Sequence, residues 1–69
     1  MLITFYKNDI DFQNKLVDYY NKLDSFYKNN PKFFADKQMQ DNHIQDIEQS
    51  ILEAQNNIDR NQKIIKAIE

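Results

Sequence analysis

Residues 44–69 read IQDIEQSILEAQNNIDRNQKIIKAIE, and the spacing of isoleucine in that stretch decides the fold. Ile44, Ile51, Ile58 and Ile65 form one row. Ile47, Ala54, Asn61 and Ile68 form a second, each three residues after its neighbour in the first. Two such rows of a seven-residue repeat lie side by side on an α-helix, where they make a packing seam. Leu52 and Ile64 flank it. The seam implies a continuous helix over at least residues 42–68, about 40 Å long at 1.5 Å per residue.

Upstream of the seam the apolar pattern fails. Met39 alone interrupts the polar run ADKQMQDNH of residues 35–43. The helix either continues through 36–43 with little to pack on or breaks and restarts near Asp41. Asn29-Asn30-Pro31 marks a turn. Asparagine tolerates the left-handed backbone at a helix end, and proline suits the first turn of a following helix, with Asn30 as its cap. The second helix therefore spans 31–68, with a break at 36–43 left open. Phe33 and Phe34 are placed to fold back onto Phe26 and Tyr27.

The first helix is read at residues 9–28. Asn8 or Asp9 can cap it, and Asp9 and Asp11 suit the positive end of its dipole. Phe12, Leu16, Tyr19, Leu23 and Phe26 recur in alternating steps of four and three, a helical stripe. Val17, Tyr20 and Tyr27 widen it beyond what one partner helix needs, so this helix expects neighbours on more than one side. MLITFY, within residues 1–7, alternates β-branched and aromatic residues and reads as an extended arm or a short strand.

Sixty-nine residues make one domain. A core of that size rarely supplies more than about 3–5 kcal/mol, and small chains recruit disulfides, a metal or a partner subunit. The chain has no cysteine and one histidine, which leaves oligomerisation. Glycine is absent, which excludes a P-loop and a dinucleotide fingerprint, since both need it for close backbone approach. No cofactor is implied. The fold class is all-α: an antiparallel helical hairpin with a long C-terminal helix, self-associating into a helical bundle. The reading assigns Ile44, Ile47, Ile51, Ala54, Ile58, Asn61, Ile65 and Ile68 to the oligomer interface. A 20-residue first helix, about 30 Å, covers only part of that seam. A dimer is the expected state, with a trimer or tetramer left open by the mixed seam and Asn61 setting register at some cost in stability.

The formal charge of −2 disfavours nucleic acid, whose binders show a basic face. The apolar run MLITFY is too short for a signal segment or a membrane span, so no membrane association and a cytoplasmic location are expected. Abundant Asn, Lys and Ile suggest an AT-rich coding sequence, as in low-GC bacteria and their phages, and so a phage or mobile-element accessory protein acting in host cytoplasm.

Chemistry-bearing candidates are few. His43 lies near Asp41 and Asp46 and could be a base or a metal ligand shared across a two-fold axis. The plainer reading is a solvated helix residue, because a catalytic histidine needs an orienting partner and a pocket. Asp41, Asp46, Glu48, Glu53 and Asp59 come with no Lys or Arg among them. They could dock a basic partner surface or form an ordinary solvated face. The aromatic residues of the first half could stack bases only beside a basic groove, and five aspartates interleave with its lysines. Arg60, Lys63 and Lys66 could contact an anion, but cations commonly favour a helix C-terminus. The expectation is a non-enzymatic, protein-binding regulator or inhibitor acting as a homo-oligomer. Its candidate partner surface is Tyr20, Tyr27, Asp41, His43, Asp46, Glu48 and Glu53. The alternative is a coiled-coil assembly factor, with a small DNA-binding regulator behind it.

Overall fold

The computed structural model describes residues 2–69 as two long helices joined by a tight connection. Helix α1 is Leu2–Asn29, a single 3-10 turn covers Pro31–Phe33, and helix α2 is Lys37–Ile68. The helices run antiparallel. Asp9 meets Asn61 toward one end, and Tyr27 meets Gln40 and His43 at the other. The backbone forms a rod of 50 × 15 × 12 Å.

The isoleucine seam does face a helix, and that helix is α1 of the same chain. Ile47, Ala54, Asn61 and Ile65 are buried, and Ile44, Ile51 and Ile58 are half-buried. Ile68 alone of the eight lies open, at 45%. The opposing stripe of α1 is Ile3, Tyr6, Ile10, Gln13, Val17, Tyr20, Asp24 and Tyr27, every member half-buried. Ala54 is the most buried residue at 3%, and its small side chain lets the two backbones approach at mid-rod. The core is a single line of contact between two cylinders.

Three expectations are corrected. Residues 2–7 are neither arm nor strand but the first turns of α1; Met1 lies outside the described residues. β-propensity is a weak preference that packing overrides, and Ile3 and Tyr6 fall on the stripe that α2 covers. The added turns bring α1 to 28 residues, about 42 Å. It therefore spans nearly the whole seam, and partial coverage, from which oligomerisation through the seam was inferred, does not hold. Asp9 and Asp11 lie beyond the first turn, so neither serves there as cap or dipole partner.

Third, α2 does not begin at Pro31. Phe34 is extended, and the helix starts at Lys37 with Asp36 as its cap, whose carboxylate accepts from the Met39 N–H at 2.8 Å. The polar run from there to His43 is continuous helix. Asn30 keeps a negative φ of −133° and gives no side-chain cap to the 3-10 turn. Its amide instead donates to the Phe26 carbonyl at 2.6 Å, satisfying one of the free carbonyls that end α1. The turn then brings Phe33 back to Phe26 and Phe34 back to Tyr27, each pair with ring centroids 5.3 Å apart.

Candidate interaction surface

Along α1, one residue's step rotates a side chain by about 100°. That step separates two rows. Tyr6, Gln13, Tyr20 and Tyr27 turn toward α2, while Phe5, Phe12, Tyr19 and Phe26, each one position earlier, turn away. The second row is open to solvent: Phe5 64%, Phe12 56%, Tyr19 57% and Phe26 46%. Leu2 is exposed at its start, and half-buried Leu16 and Leu23 lie between the two rows. T-shaped ring pairs join the rows at Phe5–Tyr6, Tyr19–Tyr20 and Phe26–Tyr27. Such edge-to-face contacts favour fixed ring orientations. Asp9 breaks the apolar line, and its carboxylate already accepts from the buried amide of Asn61.

The candidate partner residues are spread over different parts of the rod. Tyr20 and Tyr27 are half-buried against α2; the exposed aromatics are their neighbours Tyr19 and Phe26. Sequence periodicity marked the broad apolar face, yet it could not say which of its edges α2 would take. His43 packs at the hairpin end, with its ring 4.8 Å from Tyr27 and nearly perpendicular, and 5.5 Å from Phe34. Asp41 and Glu48 line an open trough of about 660 Å³ together with Lys28 and Lys37. Asp46 and Glu53 are exposed along α2, and Glu53 edges a smaller trough of about 200 Å³ beside Leu16 and Tyr20. Asp59 pairs with Lys63 at 3.2 Å within the helix.

Lys28 ties the hairpin end. Its Nζ lies 2.9 Å from Asp24 Oδ2 and 3.1 Å from Glu48 Oε2, joining α1 to α2. Hydrogen bonding to Asp24, then to Glu48, raises its pKa above the ordinary lysine value, with desolvation opposing. Asp24 Oδ1 is buried without a partner.

Among the described residues no group of three or more His, Cys, Asp or Glu could hold a metal ion. No helix there is long and apolar enough to cross a membrane. Comparison with protein-family models, with curated proteins and with solved structures finds no match.

Proposed function

We propose that this chain is a small non-enzymatic protein-binding module, a regulator or inhibitor that works as a homo-oligomer by presenting a rigid helical surface. The observation that carries the reading is the open row Phe5, Phe12, Tyr19 and Phe26 beside a fully formed hairpin. An exposed aromatic row of this extent marks an interaction surface, and aromatic side chains are the favoured anchors of such surfaces. A phage or mobile-element origin and action in host cytoplasm fit the AT-rich composition.

The mixed-charge trough between Lys28 and Glu48 and the acids along α2 supply polar surface for a second, heterologous contact. The test is affinity capture from bacterial lysate with the wild-type chain and with an Asp41→Lys/Glu48→Lys variant, both checked for helix content by circular dichroism. A protein retained by the first and lost by the second supports the reading. Capture of nothing by either would sink it.

The rod shape favours one second reading, a structural assembly factor that stacks end to end. Growth into long polymers on raising concentration would select that reading over a closed regulator.

A further inference from the structure

We infer that the outer face of α1 is covered by a second copy of this chain, with α1 packed antiparallel against α1 of its partner and the two α2 helices on the outside. The inference rests on the protein-binding reading above and names the occupant of its principal face.

Four observations point to a second copy. First, the row is a seam in its own right. Phe5, Phe12, Tyr19 and Phe26 recur every seven residues, and Leu2, Leu16 and Leu23 stand at the complementary position three residues before a ring. This is the pattern by which one helix receives another. Second, the seam is turned about 100° from the stripe that α2 covers, close to the angle at which a bundle helix sees two different neighbours. Third, the surface is a convex ridge on a two-helix rod whose backbone extends only 12–15 Å across. It offers no pocket to a small ligand; its partner must bring ridges and hollows of matching period. An identical α1 brings them, since antiparallel pairing about a two-fold axis between Leu16 and Tyr19 sets Phe12 and Tyr19 each opposite a partner leucine, while Phe26 meets Asp9 and Phe5 lies at the end of the partner helix. Isologous contact of one patch with itself is the commonest way for chains to close a dimer.

Fourth, the areas agree. The chain exposes 5384 Å², where a compact monomer of this mass exposes about 4,600 Å². The excess, on the order of 800 Å², is the area each partner gives to a standard interface. The four rings, at about 200 Å² apiece and a little over half exposed, supply on the order of 450 Å² of it. The seam carries no charge except Asp9, which is engaged by Asn61, so two copies meet without like-charge repulsion across the row. The α2 surface has no comparable row: its exposed large apolar residues are Met39, Leu52 and Ile68, far apart along the helix.

Sedimentation velocity on the full chain over a wide concentration range tests this, with Phe12→Lys, Tyr19→Lys and a control, Gln49→Lys, on α2. Expected is a dimer for wild type and control. Each α1 variant should dissociate at least about a hundredfold more readily, because a lysine buried in the seam would lack a partner. Its far-ultraviolet circular dichroism should be unchanged, since both positions are exposed in the hairpin. Wild type monomeric throughout, or a dimer indifferent to both α1 variants, overturns the inference. Phe5→Cys provides an orientation check in a chain with no other cysteine: rapid disulfide cross-linking would mean parallel helices and would overturn it too. A monomer that still captures a protein from lysate, with capture lost in Phe12→Lys, would assign the row to a different protein. The second copy, and with it the homo-oligomer, would then fail while binding to a different protein stood.

Discussion

Asn61 is the one buried polar residue among those described, 7% exposed, and its amide donates to Asp9 across the helix pair. Asp9 also receives a long contact, 3.5 Å, from Gln13 on its own helix. A buried polar pair of this kind stabilises little on balance but penalises every other register, because a one-turn slip would leave Asn61 facing apolar side chains. Its asymmetry can be measured. Asp9→Ala strands the Asn61 amide and should destabilise by about 1–3 kcal/mol. Asn61→Leu lets Asp9, which is only half-buried, turn to solvent, and should cost less or stabilise. The double variant Asp9→Ala/Asn61→Leu should then be more stable than Asp9→Ala alone. Urea unfolding of the four proteins gives the coupling, and strictly additive effects would show that the contact has no energetic weight. Half of this pair was legible in the sequence. Asn61 stands out as a polar residue at a seam position. Asp9 does not, because it sits on the boundary of the broad α1 face and looks like an N-terminal acid once the helix start is placed seven residues late.

That late start is the main error at the level of elements, and its cause is physical. MLITFY has the β-branched and aromatic composition of a strand. What makes it helical is tertiary: Ile3 and Tyr6 continue the stripe of Ile10, Val17 and Tyr27 that lies on α2. The start of α2 was blurred differently, by a proline that opens a 3-10 turn instead of an α-helix. Its true signal was Asp36, whose carboxylate caps the Met39 N–H. Asp36→Ala should therefore cost about 1 kcal/mol, lowering the melting temperature by roughly 4–8 °C for a chain this small. Amide exchange should accelerate first in residues 38–40. Unchanged exchange there would mean that the cap is dispensable. The Lys28 bridge adds a pH dependence at the same end. A lysine whose folded pKa is raised stabilises fully below its ordinary value of 10.5 and loses that contribution as pH climbs through the raised one. The melting-temperature difference between wild type and Lys28→Met should be small, since Lys28 and Glu48 are both exposed. It should stay level from neutral pH to about pH 10 and shrink only above that. A difference that already faded near neutrality would contradict the bridge.

At the level of the whole molecule, the architecture was legible because a hairpin of two amphipathic helices needs only periodicity and a turn, and both are written in the chain. The interaction face was legible only as an excess: too many aromatic residues on α1 for one neighbour. Which ones stay open follows from a single 100° step that composition cannot reveal. The same excess predicts how the protein unfolds. With one line of buried contact and, among the described residues, no side chain fully enclosed, the isolated hairpin falls among domains of marginal stability. If its outer face is covered by a second copy, folding and association are linked, and stability grows with protein concentration. A tenfold rise in concentration shifts a dimer's equilibrium by about 1.4 kcal/mol, roughly 0.7 kcal/mol for each chain. At 4–8 °C per kcal/mol, the melting temperature should climb about 3–6 °C for each tenfold step, as followed by circular dichroism. Phe12→Lys should melt lower, and at the same temperature whatever its concentration. A flat series for wild type would separate the stability of the hairpin from any partner, and the aromatic row would then have to be tolerated by a chain that folds on the strength of its isoleucine seam alone.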